Sequence, residues 1–177
     1  SHVPYNDVAA LRAAVGERTC AILLEPIQGE GGVNVPDENY LKEVRALCDE
    51  RGILLILDEI QTGCGRTGML WAHEVSGIRP DIMTVGKGLG GGIPIAVLLA
   101  NDRAACFGPG DHGSTFGGNP LCCAVAAAVF RFIVKEDLPG NAVRVGSYFR
   151  ERLLGLQEEW DVVKEVRGRG LLLAMEF

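Results

Sequence analysis

The stretch Ile82-Met-Thr-Val-Gly-Lys-Gly-Leu-Gly-Gly-Gly92 places one lysine, Lys87, between an apolar run and a cluster of glycines. The apolar and β-branched residues before the lysine predict a buried strand. The glycines leave the backbone open, so that a flat, bulky group can approach it closely. We expect Lys87 to be desolvated here, and burial favours the neutral, nucleophilic amine over the ammonium. The pattern therefore predicts a lysine that forms a Schiff base with an aldehyde.

A second apolar run, Ile53-Leu-Leu-Ile-Leu57, ends in Asp58-Glu59 and supplies an acid that suits such a lysine. If both runs are parallel strands, their carboxyl ends meet at one edge of a sheet. Asp58 and Lys87 would then face the same crevice. A lysine for the aldehyde and a carboxylate for the ring nitrogen are the two groups that pyridoxal 5'-phosphate (PLP) requires of a protein.

Composition restricts the class of protein further. The chain has 177 residues, 47% hydrophobic and 23% charged, as expected of one globular domain or of one domain with part of another. Its net charge of −6 argues against nucleic acid as the main partner. The apolar runs are too short to cross a bilayer, and we expect a cytoplasmic protein without a signal peptide. With six cysteines, no C-x-x-C pair and three histidines, we expect reduced thiols and no metal site.

Local patterns predict alternating helices and strands. Helices are expected over residues 6–15, 36–50, 120–135 and 141–157, and strands over residues 20–24, 53–57, 82–85 and 95–100. Asn6 and Asn119 are the expected N-caps of the first and third helices, and Gly52 is expected to end the second. Residues 162–177 predict two further strands around Arg167-Gly-Arg-Gly170. Continuous Val/Ile/Leu strands separated by helices predict an α/β fold whose mainly parallel sheet is covered on both faces.

Two glycine-rich stretches match the dinucleotide-binding pattern G-x-G-x-x-G, namely Gly63-Cys-Gly-Arg-Thr-Gly68 and Gly86-Lys-Gly-Leu-Gly-Gly91. That pattern requires a strand before it and a helix after it. Gly91 is followed by Gly-Ile-Pro-Ile, which favours a strand. Asp58-Glu59 alone could be a metal-binding pair or a solvated turn, but no Walker A loop accompanies it. A nucleotide-binding α/β module and a non-catalytic scaffold stay open as alternatives.

Two other loops carry candidate binding residues. His112-Gly-Ser-Thr-Phe-Gly-Gly-Asn-Pro120 combines hydroxyls, small residues and a helix start, as phosphate-binding loops do. Helix-capping residues alone produce the same pattern, so both interpretations stay open. Glu25 and Glu30 flank the turn Pro26-Ile-Gln-Gly29 and suggest a substrate-facing site, although a glutamate after a strand can also be merely solvated.

Several motifs in one order carry a resemblance to a known family. They are Glu25-Pro-Ile-Gln-Gly-Glu-Gly-Gly32, Leu57-Asp-Glu-Ile-Gln-Thr-Gly63 with Gly65-Arg-Thr-Gly68, Arg79-Pro-Asp-Ile82, Gly86-Lys-Gly-Leu-Gly-Gly-Gly92 and His112–Pro120. Together they resemble class III aminotransferases, and the last is most similar to the acetylornithine/ornithine branch. The resemblance implies the fold-type I architecture of PLP-dependent transferases. Residues 1–137 would belong to the PLP-binding large domain and residues 138–177 to the start of a smaller α+β C-terminal domain.

The resemblance also implies roles for residues at the ends of the two central strands. Lys87 would bind PLP covalently and then move a proton between substrate and cofactor. Asp58 would pair with the pyridine nitrogen and keep it protonated, because a nearby carboxylate favours the cationic form. Ile60 would pack on the face of the ring, and Gln61 would hydrogen-bond its phenolic oxygen.

Four further residues receive implied roles in the surrounding loops. Thr115, with Ser114 beside it, would reach the cofactor phosphate of the other subunit in a homodimer with a shared active site. Glu30 would be a substrate gate that pairs with a substrate-binding arginine while the dicarboxylate substrate is absent. Glu25 would support the floor of the site.

The implied reaction transfers the amino group of N-acetylornithine, or a related ω-amine, to 2-oxoglutarate by a ping-pong mechanism in arginine biosynthesis. Ornithine, succinylornithine and GABA transaminases are the alternatives within the family. The family's N-terminal phosphate loop, its ring-stacking aromatic residue and its C-terminal carboxylate-binding arginine have no match here. We therefore expect a segment of a larger enzyme that is not catalytically competent alone.

Overall fold

The computed structural model describes residues 1–177 as a four-stranded sheet with its helices, followed by a long helix and a two-stranded hairpin. The helices are α1 (Val8–Ala14), α2 (Tyr40–Arg51), α3 (Pro120–Lys135) and α4 (Leu138–Glu159). The strands are β1 (Ala21–Leu24), β2 (Leu54–Asp58), β3 (Ile82–Val85), β4 (Val97–Ala100), β5 (Glu165–Arg169) and β6 (Leu172–Glu176). Short 3₁₀ turns lie at Ala72–Ser76 and Lys87–Gly90. None of the helices combines the length and the apolar character needed to cross a membrane.

The sheet has the order β1-β2-β3-β4. β1, β2 and β3 are parallel to one another, whereas β4 runs antiparallel to β3. This confirms the predicted α/β fold with a mainly parallel sheet. Because the first three strands are parallel, their last residues, Leu24, Asp58 and Val85, lie at the same edge of the sheet.

One face of the sheet carries the hydrophobic core. Side chains of β1 and β2 pack there against α2, and the buried cluster comprises Leu11, Ile22, Leu24, Tyr40, Leu41, Val44, Leu47, Cys48, Ile53, Leu55 and Leu57. On the same face, Met83 and Val85 of β3 pack with Leu89 and with Ala126 of α3. These contacts follow from the strand period of two, which sends alternate residues to the same side.

The opposite face of the sheet has no helix packed on it within this chain. Its residues include Leu23, which is 67% exposed, and Leu98, which is 57% exposed. The sequence predicts that helices cover both faces of the sheet. In this chain, helices cover only one face. The physical reason is that a continuous apolar run shows that both faces of a strand are apolar, but not which segment covers each of them.

The starts of the helices differ from the sequence prediction. The N-cap of α1 is Asp7, whose carboxylate accepts a hydrogen bond from the Ala10 amide at 2.8 Å. Asn6, the predicted cap, instead has a φ of 63° and its side chain accepts a hydrogen bond from the Asp37 amide. α2 begins at Tyr40 rather than at residue 36, although Gly52 ends it in the left-handed conformation as predicted. Asn119 caps α3 as predicted and accepts a hydrogen bond from the Cys122 amide.

α4 starts at Leu138, three residues earlier than predicted. The helix includes Pro139 because a proline fits the first turn of a helix, where its missing N–H is not needed. The Asp137 carboxylate accepts a hydrogen bond from the Gly140 amide at 3.1 Å and so caps the helix.

The C-terminal helix and hairpin dock on the loop that follows β2. The Leu171 amide donates to the Arg66 carbonyl at 2.9 Å. A Cβ atom on Gly65 would lie 3.3 Å from the Pro139 ring, and one on Gly68 would lie 2.6 Å from Val143 of α4. Residues 138–177 are therefore tied directly to the β2 end of the sheet.

Asp81, the residue before β3, links several elements through one buried carboxylate. It accepts hydrogen bonds from the Leu55 amide at 2.8 Å, from Arg45 of α2 at 2.9 Å and from the Asn101 side chain at 2.9 Å. Burial acts to raise the pKa of Asp81, but these partners outweigh it and lower the pKa below its ordinary value. The charged form of Asp81 therefore stabilises the junction of α2, β2 and β3.

We expect Asp81→Asn to lower the free energy of unfolding by about 3 kcal/mol, because it leaves Arg45 without its buried partner. Since the folded-state pKa is lowered, the stabilisation is complete above the pKa of an unfolded aspartate, about 3.9, and is lost as the pH falls through the folded value. Urea denaturation at several pH values measures both effects.

The matched control is Asp49→Asn, which removes the exposed partner of Arg45. Its side chain is 63% exposed, so that the expected loss is below about 1 kcal/mol. Equal losses in the two variants would contradict the role assigned to Asp81.

Candidate active site

Asp58 ends β2 and lies beside the end of β3. Its register partner on β3 is Thr84, so that the two side chains share the sheet face that lacks a helix. One oxygen of Asp58, Oδ1, accepts a hydrogen bond from the Ile60 amide at 2.9 Å, which fixes the carboxylate at the strand end. The hydroxyl of Thr84 is buried and has no hydrogen-bond partner. The strand ends thus present a carboxylate and an unpaired hydroxyl side by side.

Lys87 lies two residues after the last residue of β3 and begins a 3₁₀ turn. Its φ of 41° is in the left-handed region, which a residue with a side chain adopts rarely. The side chain of Lys87 is exposed, so the prediction that it is desolvated is wrong for this chain. The physical reason is that the glycines around it have no side chains with which to bury the amine.

Ile60 and Gln61 connect the three strand ends. A Cβ atom on Gly86 would lie 3.5 Å from Ile60, which places Ile60 against the residue before Lys87. A Cβ atom on Gly29 would lie 2.7 Å from the amide carbon of Gln61, closer than real Cβ contacts allow. The loops after β1, β2 and β3 therefore touch one another, and glycine makes the approach at Gly29 possible.

Glu25 and Glu30 belong to the loop after β1. The Glu25 carboxylate accepts a hydrogen bond from the Gly29 amide at 2.9 Å, so it shapes the loop directly. The backbones of Gln28 and Asn34 exchange hydrogen bonds at 3.1 and 3.0 Å and close the loop at its base. Glu30 lies near the tip of this loop and is exposed.

A cleft of about 1050 Å³ runs along β1, and its lining includes Glu25, Gln28, Asp58 and Tyr5. The Tyr5 hydroxyl donates to the carbonyls of Glu25 and Pro26, both at 3.1 Å. Burial raises the pKa of Tyr5, and the neighbouring Tyr40 and Glu25 raise it further. Lys87 does not line this cleft. We therefore place the candidate site at the ends of β1, β2 and β3 rather than in the cleft.

Ser114 and Thr115 lie in an exposed loop ahead of α3. The Ser114 hydroxyl accepts a hydrogen bond from the Gly117 amide at 3.1 Å and forms a local turn. No hydrogen bond joins either residue to Asp58, Gln61 or Lys87. The structure thus brings Asp58, Ile60, Gln61, Glu25 and the Lys87 turn together at the strand ends, and leaves Ser114 and Thr115 outside this group.

Glu59 is buried, so the alternative that Asp58-Glu59 forms a solvated turn is wrong for this residue, and its structural role was not predicted. Its side chain is buried, with the residue only 1% exposed. It accepts hydrogen bonds from the Thr62 hydroxyl, from the amides of Ala72 and His73 at 3.0 Å each, and contacts His73 Nδ1 at 2.8 Å. Glu59 therefore holds the long loop between β2 and β3 in place directly behind Asp58. The alternation of side chains along a strand could have predicted this burial, because it turns Glu59 away from the face that carries Asp58.

The glycine patterns do not have the surroundings of a dinucleotide site. The stretch at 86–91 contains a 3₁₀ turn and leads to strand β4, and the stretch at 63–68 leads to the short 3₁₀ turn at Ala72–Ser76. Neither is followed by the α-helix whose N-terminus would bind a pyrophosphate.

Comparison with known proteins identifies the family. The model of the aminotransferase class-III family matches residues 2–177, and the chain belongs to this family. It is 53% identical over 176 residues to the acetylornithine aminotransferase of Methanothermobacter thermautotrophicus, covering 99% of this chain and 45% of that protein. It is 52% identical over 176 residues to ornithine aminotransferase 2 of Staphylococcus aureus, covering 98% of this chain and 44% of that protein.

Solved structures agree with this assignment. An ornithine aminotransferase from Toxoplasma gondii, with PLP partially occupying its active site, superposes with a TM-score of 0.94 at 46% identity. The match covers 98% of this chain and 42% of that one. The predicted fold-type I architecture of PLP-dependent transferases is thereby confirmed. The chain spans about half the length of the curated relatives it matches.

Proposed function

We propose that the protein containing this chain is a PLP-dependent aminotransferase that moves the amino group of N-acetylornithine, or a related ω-amine, to 2-oxoglutarate. The observation that carries the proposal is the placement of Asp58 and Lys87 at the carboxyl ends of two adjacent parallel strands. The reaction would take place in the cytoplasm as a step of arginine biosynthesis. The names of the relatives support the amine.

The residues at the strand ends fit PLP chemically. Lys87 offers an amine for the aldehyde, Asp58 a carboxylate for the ring nitrogen, Gln61 an amide for the ring oxygen and Ile60 an apolar surface for the ring. The glycines next to Lys87 leave room for a flat ring to approach the backbone. When bound, PLP supplies an electron sink that stabilises negative charge at the substrate carbon that bears the amine.

Asp58 would hold a proton on the ring nitrogen. The Asp58 Oδ1 atom accepts from the Ile60 amide, and Oδ2 accepts no hydrogen bond from the protein. This leaves Oδ2 to accept a hydrogen bond from the protonated ring nitrogen. A carboxylate so placed favours the cationic ring, because opposite charges at short distance stabilise the charged form.

Lys87 would bind the aldehyde and later act as the base. Lys87 Nζ would take the proton from the substrate carbon that bears the amine. Gln61 would donate a hydrogen bond to the ring oxygen, and its contact with Gly29 would keep its amide in position.

The remaining predicted residues complete the proposal. Glu30 would be the substrate gate and Glu25, through its bond to the Gly29 amide, would support the floor beneath it. Ser114 and Thr115 lie exposed, which suits contact with the cofactor phosphate in the other subunit of a homodimer. We assign residues 1–137 to the large domain and residues 138–177 to the start of the small domain.

Ornithine is the second candidate for the amine, because relatives named for acetylornithine and for ornithine are almost equally similar to this chain. Turnover of N-acetylornithine, ornithine, succinylornithine and GABA by the full-length protein, each with 2-oxoglutarate, separates the candidates. We expect the highest kcat/KM with N-acetylornithine. A preference for GABA would contradict the substrate assignment and leave the cofactor assignment intact.

Borohydride reduction of the full-length protein with PLP, followed by peptide mass mapping, should give a single pyridoxyl adduct at Lys87. Lys87→Ala should lose the adduct, whereas Lys135→Ala should keep it, because Lys135 is the last residue of α3 and does not belong to the group at the strand ends. Absence of an adduct at Lys87 in the unsubstituted protein would overturn the proposal and favour the nucleotide-binding alternative.

Gly29→Ala should weaken PLP binding by the full-length protein about threefold to tenfold, as expected for loss of one oriented hydrogen bond. The new methyl group would force the Gln61 amide away from the ring oxygen. Rotation of this flexible side chain relieves the clash, so that the free energy of unfolding should change by less than about 1 kcal/mol.

Gly31→Ala is the matched control, since its Cβ atom would meet its nearest neighbour at 3.6 Å, an ordinary contact. Titration of the apo-protein with PLP, followed by absorbance, measures both variants. Equal affinities for Gly29→Ala and the unsubstituted protein would show that Gln61 does not bind the cofactor.

A further inference from the structure

Arg167 of β5 connects the C-terminal hairpin to the loop that carries Glu30. Its Nε atom donates a hydrogen bond to the Gly32 carbonyl at 2.7 Å, across 135 residues of sequence. Its Nη1 atom contacts Glu165 at 2.7 Å and Glu176 at 2.6 Å. The Arg167 side chain is only 19% exposed, whereas its partners Glu165 and Glu176 are 56% and 48% exposed.

The hairpin holds the guanidinium of Arg167 firmly. Glu165 and Glu176 are directly opposite each other in the β5–β6 pairing. Two like charges in this position repel each other, and a cation between them removes the repulsion. The hydrogen bonds from Arg167 to Glu176 and Glu165 raise the pKa of Arg167, and Arg167 in turn lowers the pKa of Glu176. With Nη1 fixed in this way, the planar guanidinium points its Nε atom at Gly32.

The loop that contains Gly32 accommodates the Arg167 side chain closely. Gly32 has a φ of 122°, and a Cβ atom there would lie 3.3 Å from Nη2 of Arg167. The loop is anchored to the sheet through Glu25 and through the contact between Gly29 and Gln61. The hydrogen bond from Arg167 is a third contact that holds this loop, and it joins the loop to the β5–β6 hairpin.

We infer that Arg167 is a positioning residue for Glu30, acting through the Gly32 carbonyl to couple the gate loop (residues 28–34) to the β5–β6 hairpin. The inference rests on the proposed function, in which Glu30 is the substrate gate. Glu30 is two residues from Gly32 and exposed, so its position depends on how the loop is anchored.

This coupling has a consequence for the two half-reactions of transamination. In the proposed function, the gate would accept the amine donor in one position and the dicarboxylate 2-oxoglutarate in another. Loosening the loop changes the balance between these positions and therefore changes the two half-reactions unequally. General loss of stability would slow both alike.

The first test is Arg167→Lys in the full-length protein. A lysine keeps a positive charge between Glu165 and Glu176 but has no Nε donor for the Gly32 carbonyl, so that the hairpin stays paired while the anchor is lost. Amide hydrogen exchange in the gate loop should become faster by about tenfold, while exchange in α2 stays unchanged. Glu165→Gln is the control, because Glu176 still holds Nη1 and the Nε bond to the Gly32 carbonyl is kept, and it should leave exchange in the gate loop unchanged. Unchanged exchange in Arg167→Lys would overturn the inference.

The second test measures each half-reaction by single-turnover absorbance of the cofactor. The ratio of the amine rate to the 2-oxoglutarate rate should change about tenfold in Arg167→Lys and less than about twofold in Glu165→Gln. In a Glu30→Ala background, Arg167→Lys should cause no further change, because residues that act as a unit are not additive. Arg167→Met, which removes the charge as well, should give the same ratio as Arg167→Lys.

The outcomes separate this inference from the proposed function. If the unsubstituted protein transaminates and Arg167→Lys leaves the ratio unchanged, only the inference fails. Additive effects of Glu30→Ala and Arg167→Lys would also overturn it, because Arg167 would then act on something other than the gate. If the unsubstituted protein with PLP carries out neither half-reaction, the proposed function fails and this inference fails with it.

Discussion

The parallel pairing of β2 with β3 is the constraint on which the candidate site depends. It sets Asp58 opposite Thr84 and brings the Lys87 turn to the same edge of the sheet. The pairing is stabilised from one face, where Leu57 and Val85 are buried in the core. An antiparallel arrangement of the same strands would place the acid and the lysine at opposite edges. The direction of β2 and β3 therefore determines whether Asp58 and Lys87 can lie at the same edge of the sheet.

Close approach of the loops is the second condition for the site. Gln61 can lie against the backbone of the β1 loop because Gly29 has no side chain, and Ile60 lies beside Gly86 at the end of β3. Similar contacts join the β2 loop to α4, where Gly68 meets Val143. Gly68 and Gly86 belong to the stretches that match the dinucleotide-binding pattern. In the structure, they allow neighbouring segments to pack closely. This explains why the glycine pattern alone was ambiguous about function.

Two buried carboxylates organise the frame behind the site. Asp81 joins α2, β2 and β3, and Glu59 holds the loop between β2 and β3 through two backbone amides and His73. Both acids are tolerated in the interior because their oxygens have hydrogen-bond partners. Glu59 and Asp58 are neighbours in sequence with opposite roles, since one faces the interior and the other faces the open side of the sheet. Arg167 adds a third polar link, between the hairpin and the gate loop.

The sequence by itself determined the elements whose signals are local. The apolar run before Lys87 predicted β3, Asn119 predicted the start of α3, and Gly52 predicted the end of α2, because strand period, capping and left-handed backbone act over a few residues. Only the tertiary structure decided which residues are buried and which distant residues meet. The exposure of Lys87 and the bond from Arg167 to the Gly32 carbonyl could not be predicted, because burial and long-range contacts depend on segments far away in the chain.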